Sequence, residues 1–305
     1  MNFDLLHLAV VGADRFSLAI IMALALMQMG LAPAWSLADE QRRARWLLMM
    51  VLVAVAVTLL ELLMRTAAMA DVPLGQAWSF VPRVLERSDY GFYWQWRAGI
   101  ILLVLGGVLW SLWRGGSLLS AAWLMCGGLA WALLASVTSH AGEEGLWSLA
   151  NLVNWAHIVS TSLWGGAVVI YAWLVLPALL REGPGRMGLL AERLSLLATA
   201  ALVVVLLSGL YNGWRQMSAW SDLWASDYGL VLLVKLALVA VMMAIGAVNK
   251  FRWVPALVIA CGGGADWRQP FGRLLGVLRI DSVVFVAVLI AAVVLGMQAP
   301  PGHFE

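Results

Sequence analysis

The chain has four histidines, and each lies at the edge of a long apolar run. His7 is near the start of the first run, His140 follows the fourth, His157 is near the start of the fifth, and His303 follows the eighth. Imidazole nitrogen is a ligand for copper, zinc, iron and nickel, and thioether sulfur adds a preference for Cu(I). Met64, Met69, Met217 and Met297 lie near the same boundaries. Only neutral imidazole binds metal, so a site of this kind weakens as pH falls through about 6.5. No HxH or HxxxH spacing joins the histidines. Spacing alone therefore leaves metal ligation and a plain hydrogen-bonded role both open. His140 and His157 are the first candidates, His7 the third and His303 a flexible accessory, with Met64, Met69 or Met297 able to complete a softer site.

A second set of residues carries charge into apolar sequence. Asp14 and Arg15 lie in the first run, and Glu61 and Arg65, four apart in the second, share a helix face. Arg97 and Lys235 enter the third and seventh. A charge at the centre of a bilayer costs about 2.5–3.5 kcal/mol on insertion scales, so these six should pair or face a wet interior. Arg97 and Lys235 could also snorkel to the interface on their long stems. They are placed alike, because Ser88-Asp89-Tyr90-Gly91 precedes Arg97 by the same spacing with which Ser226-Asp227-Tyr228-Gly229 precedes Lys235. The echo of His7 by His157, and of Ser139-His140-Ala141-Gly142 by Pro300-Pro301-Gly302-His303, keeps the same order. A duplicated four-helix unit is the expectation, covering residues 1–145 and 146–305.

The elements that must position these groups are membrane helices. Hydrophobic residues make up 63% of the chain and charged ones 12%, with mean hydropathy +0.89. A soluble domain is roughly 45–50% apolar and about 25% charged. Each apolar run approaches or exceeds the roughly 20 residues that cross a bilayer as helix. Alternation in short segments, the mark of a β-barrel, is missing. The expected fold is all-α and integral to the membrane. Eight spans are expected near 5–32, 46–70, 94–113, 117–139, 149–177, 189–212, 228–249 and 277–298, with Pro33 and Pro177 closing the first and fifth. The 250–276 stretch reads as a polar connection whose apolar part, 253–261, lies along the interface. Trp35, Trp46, Trp78, Trp94, Trp96, Trp110, Trp113, Trp147 and Trp214 near span ends read as an aromatic belt.

Loop charge sets the orientation. Arg42, Arg43, Arg45, Arg114, Arg181, Arg186, Lys250, Arg252, Arg268 and Arg273 fall in the odd-to-even connections, and the opposite loops hold Arg83, Arg87 and Arg215. By the positive-inside rule both termini are extracytoplasmic, and all four histidines face outward with them. The inner half of the bundle is then expected to hold little charge beyond Asp281 and Glu192. No basic n-region precedes the first run, so no cleavable signal peptide is expected. The net charge of +2 reflects loop bias and not a nucleic-acid surface. Cys126 and Cys261, expected in the fourth span and on the cytoplasmic side, should not form a disulfide.

The segment from Asn154 to Gly166, with His157, Trp164, Gly165 and Gly166 in an HxxxxxxWxGG pattern, resembles the copper resistance D (CopD) family of membrane proteins. His140-Ala141 after the fourth helix is similar to its GHA step, with Ser139 in place of Gly. Tyr228-Gly229 leading to Lys235 is similar to its YG…LLxK helix. A last helix with Asp281 where Glu is usual, ending in Pro300-Pro301, is similar to its terminus. The resemblance implies copper handling at the bacterial inner membrane, moving the ion from periplasm toward cytoplasm. It also implies copper ligation by His140 and His157. Because the sequence has no appended copper-binding β-domain, a separate periplasmic donor protein is expected alongside copper and lipid. The chain has no P-loop and no hydrolytic Ser/His/Asp or HExxH arrangement, so transport would be secondary or facilitated and no enzymatic activity is expected. The His157 helix also resembles that of the HemJ-type haem proteins, which leaves a haem held between His7 and His157, with Gly165 and Gly166 making room, as the alternative.

Overall fold

A computed structural model of the chain describes residues 3–31, 37–180, 184–263 and 266–301. His303, Pro33, Trp35 and Arg181 lie outside the described residues. Among them the structure is helical without strands, and eight helices are long and apolar enough to cross a membrane. They are α1 (Phe3–Leu26), α2 (Leu37–Ala70), α3 (Asp89–Arg114), α4 (Leu118–Val137), α5 (Leu149–Ile170), α6 (Met187–Gln216), α7 (Asp227–Val248) and α8 (Arg268–Gly296). An even number of spans returns the chain to the side it starts from, so both termini belong to one end of the bundle.

Helices α1 and α5 form the centre. Most of each is buried, whereas α7 is almost wholly peripheral. Helix α1 packs on α2, α4, α5 and α8, and α5 packs on α1, α4, α6 and α8. Small residues let the central pair approach closely, as is common between membrane helices. A Cβ on Gly166 would collide with the Ala19 carbonyl of α1, and one on Gly165 with the Phe285 ring of α8.

The two SDYG segments start α3 and α7 in the same way. Ser88 accepts the Gly91 N–H at 2.9 Å and Ser226 accepts the Gly229 N–H at 3.0 Å, each an N-cap. Each hydroxyl also donates to a carbonyl four residues back, Val84 or Asp222, at 2.7 Å. Gly91 and Gly229 press on those same carbonyls and leave no room for a Cβ. The tight α3–α4 turn works through Gly115, whose φ of 81° lies in the left-handed region, and through a capping box between Ser117 and Ser120.

Four boundaries differ most from the sequence reading: α2 begins at Leu37 and α8 at Arg268, each nine residues before the expected start, and α5 and α7 run past their expected ends. Helix α5 does not end at Pro177. It passes through a π turn, Tyr171–Val175, into a further turn, Leu176–Leu179. Pro177 sits in the first turn of that piece, where its missing N–H costs least. Helix α7 likewise continues through a second π turn, Asn249–Trp253, into Val254–Gly263. The apolar 253–261 stretch is therefore helix continuous with α7 and not a separate element. Val254 and Leu257 join the main core.

Candidate functional site

At the end of the bundle that carries the termini, the first half gathers polar side chains around Arg97 of α3, which is only 5% exposed. Its Nη2 donates to Asp14 Oδ1 of α1 at 2.6 Å and its Nη1 to Glu61 Oε2 of α2 at 2.7 Å. Arg15 pairs with Asp14 at 3.4 Å and reaches the Ala135 carbonyl of α4 at 3.5 Å. Arg65 lies 5.8 Å from the Tyr90 ring centroid, and Trp94 donates to the Thr58 carbonyl at 3.0 Å. His7, on α1, is within Coulombic reach of Arg65 and Glu61. Five of the six residues expected to form a polar network thus share one cluster. Arg97 does not snorkel; two carboxylates hold it inside.

Lys235, the sixth, behaves differently. It is half-buried on α7 and makes no hydrogen bond or ion pair among the described residues. Helices α6 and α7 scarcely touch along their spans, unlike α2 and α3. In place of carboxylates the second half offers neutral groups. Asn154 donates to Ser136 at 2.9 Å and Ser139 at 3.2 Å, and it accepts from Asn212 at 3.1 Å. His157 Nδ1 meets the Ser208 hydroxyl at 2.9 Å, and Lys235 is within Coulombic reach of the imidazole.

The Ser208 hydroxyl donates to the Val204 carbonyl of its own helix. If that proton stays on the carbonyl, Ser208 accepts from Nδ1–H and Nε2 is the ring nitrogen with the lone pair; the 2.9 Å contact by itself fits either tautomer. A second-shell oxygen that fixes the tautomer in this way is how metal-ligating histidines are oriented. Gly209 stands beside the ring, where a Cβ would come within 3.2 Å of Cε1. The glycine leaves room at that edge.

The other expected ligands are more scattered. His140 begins a short 3-10 turn, His140–Gly142, after α4, exposed, with Nδ1 3.0 Å from Glu143 Oε1. Asn154 ties the preceding Ser139 to the helix of His157, so both histidines belong to the same end of the same helix pair. Met64 is buried in the first half, Met69 is exposed near the end of α2, and Met297 caps α8 with 36% exposure. Among the described residues no three His, Cys, Asp or Glu side chains converge as a metal cluster. Gly165 and Gly166, expected to make room for haem, are filled by Phe285 and α1.

The opposite end corrects another expectation. It holds more than Asp281 and Glu192, because Arg43 is 1% exposed and donates to Glu40 at 2.7 Å, Gln28 at 2.7 Å and Ser111 at 3.2 Å. Gln28 in turn donates to the Ser117 carbonyl at 2.9 Å. Sequence reading placed Arg43 among the free loop charges. Its distance from Gln28 and Ser111 along the chain gave no sign of this cluster. Asn154, Ser208 and Asn212 were missed too, since neutral polar residues inside membrane helices are common. The i,i+4 spacing of Ser208 and Asn212, matching Glu61 and Arg65, was the one signal available.

These features define a multi-pass membrane protein with eight helices and polar clusters built between them. Residues 5–150 match the family described as copper resistance protein D-like, N-terminal domain, and residues 188–295 match copper resistance protein D. The chain belongs to the copper resistance D family. It is also similar to the copper transport protein CutJ of Bacillus subtilis (strain 168), with 26% identity over 170 residues that cover 55% of this chain and 29% of the relative. The chain thus matches less than a third of that relative's length. No solved structure matches it.

Proposed function

We propose that the protein is a copper carrier of the bacterial inner membrane, not an enzyme, which takes copper at its extracytoplasmic end and passes it toward the cytoplasm. Its membership in a copper resistance family supports copper as the cargo, and so does the name of its Bacillus relative. The observation that carries the site is the His157–Ser208 pair, in which a neutral hydroxyl holds the imidazole that would take the ion. His140, at the exposed mouth, is the first acceptor from a periplasmic donor protein. His7, His303 and the methionines Met64, Met69 and Met297 are accessory positions.

Orientation follows from loop charge: both termini lie outside, and the two halves are parallel repeats related by an axis near the membrane normal. Movement is secondary or facilitated. The test is copper stoichiometry and uptake for His140→Ala and His157→Ala at matched expression. A clear loss in the His157 variant is expected. If both variants bind and move copper like the parent, the histidines are structural and the site lies elsewhere.

A further inference from the structure

Asp281 lies on α8, away from the histidine end, and it has no role in the clusters above. It is 2% exposed, its Oδ1 has no hydrogen-bond partner, and it enters no ion pair among the described residues. Asp14 is buried to the same degree, but it is bridged by Arg97 and Arg15. An ionised carboxylate in apolar surroundings needs a counter-charge or donors. Without them it is neutralised, by a proton or by a cation.

The surroundings of Asp281 are unusual in a second respect. Two of the three π turns among the described residues, Tyr171–Val175 and Asn249–Trp253, pack against α8. In the first, Trp173 Nε1 donates to the hydroxyl of Ser282, the residue next to Asp281, at 3.0 Å. The second begins at Asn249, 6% exposed, whose amide oxygen and nitrogen both lack partners. Single π turns interrupt the regular ladder of a helix and recur at functional sites. Two of them pack against the one helix that carries a lone buried carboxyl, and one of the two carries a buried amide that is also unsatisfied.

Among the described residues neither Lys235 nor Asp227 of α7 bonds to Asp281, and the other charged groups on the elements around α8 are engaged elsewhere. Arg279, on α8 itself, stacks 5.0 Å from the Trp173 ring centroid. Lys250 donates to Thr199 of α6 at 2.7 Å, and Arg252 stacks 4.8 Å from the Trp253 ring centroid. On α1, Asp14 and Arg15 belong to the Arg97 cluster, and His7 is within Coulombic reach of Arg65 and Glu61. On α5, His157 is bonded to Ser208. None of them is paired with Asp281.

We propose that Asp281 is an intramembrane proton-exchange site that couples the movement of the cargo cation to a proton. In the resting protein the carboxyl carries a proton. When the cargo cation arrives, the O–H bond breaks heterolytically, the proton passes to water at the end of the bundle opposite the histidines, and the carboxylate left behind is neutralised by the cation. Departure of the cation lets a proton return from water at the histidine end, so that each cycle moves one proton across the membrane for each cation.

This inference rests on the copper-carrier reading, and two measurements separate them. Infrared spectra of the full-length protein in detergent, without copper, should contain the carbonyl band of a protonated carboxylic acid. The band should vanish in Asp281→Asn, move in Asp281→Glu and persist in Glu61→Gln. A band untouched by both Asp281 variants, or no such band in the parent, overturns the proposal. In proteoliposomes, an imposed pH gradient should change the rate of copper movement several-fold in the parent and leave Asp281→Asn indifferent. Copper movement that ignores the gradient in the parent overturns the coupling. A parent that moves no copper overturns the carrier reading and the coupling with it, while the infrared result still decides whether Asp281 holds a proton.

Discussion

Arg97 and Asp14 lie 83 positions apart in the chain and 2.6 Å apart in the fold, and their contact ties α3 to α1. Glu61 adds α2 to the same guanidinium at 2.7 Å. Three of the four helices of the first half are thus pinned through one side chain. Lys235, which stands at the same spacing from its own SDYG segment, pins nothing among the described residues.

That difference predicts an asymmetry in stability. Arg97→Ala leaves Glu61 without its ion pair and Asp14 with only the longer Arg15 contact, and breaking a buried pair by removing one partner typically costs about 3–5 kcal/mol. Lys235→Ala removes a charge that holds no partner, so its cost should be near zero. Thermal unfolding in detergent, followed by loss of the monodisperse peak, should show a large fall in midpoint for Arg97→Ala and little change for Lys235→Ala. Equal falls would mean that Lys235 is engaged in the membrane in a way its surroundings do not reveal.

The packing of α5 against α8 provides a second check. A methyl on Gly165 would strike the Phe285 ring, so Gly165→Ala should destabilise by about 1–3 kcal/mol, the usual cost of overpacking. Phe285→Leu costs something alone by leaving space. The double variant should recover much of the loss, because the two changes share one volume. Additive losses in the double-mutant cycle would place the two residues apart. The same measurement on Gly166→Ala should find no such rescue, since its obstacle is the Ala19 backbone carbonyl.

Topology is predicted from loop charge. A reporter active only in the cytoplasm, fused after Glu305, should remain silent, and a periplasm-specific reporter at the same position should be active. A strong cytoplasmic signal would turn the histidine end inward and reverse the direction of the proposed carrier.

Much of this architecture was legible in the sequence because membrane helices announce themselves by length and composition. Asp14, Glu61, Arg65 and Arg97 could be assigned to a shared depth because burying charge in lipid is costly enough to force pairing. What could not be read was how a helix continues beyond an apparent stop. Pro177 and the basic run around Lys250 look like ends of spans, yet π turns carry α5 and α7 past them. Nor could the partners of Arg43 be read, since Gln28, just beyond α1, and Ser111 of α3 approach it only through the packing of the helices. On the candidate site, sequence singled out His157 but not Ser208, whose importance comes from the direction of one hydroxyl proton.

The last prediction concerns that proton and the charge beside it. If copper binds at His157 Nε2, Ser208→Ala releases the ring from its tautomer and orientation. Loss of such a supporting bond typically weakens metal binding about 10–100-fold while the ligand itself remains. Folding should be little affected, because Ser208 otherwise bonds only to carbonyls of its own helix. Lys235→Gln should act in the opposite direction. A lysine cation near the imidazole repels an arriving copper ion, and in a low-dielectric interior that repulsion is felt strongly. Copper affinity of the purified variants, measured by competition with a chelator at constant pH, should therefore fall for Ser208→Ala and rise for Lys235→Gln. A lower affinity in the lysine variant would mean that copper reaches this site within an anionic complex, which Lys235 attracts. Unchanged affinity in both would remove His157 from the path.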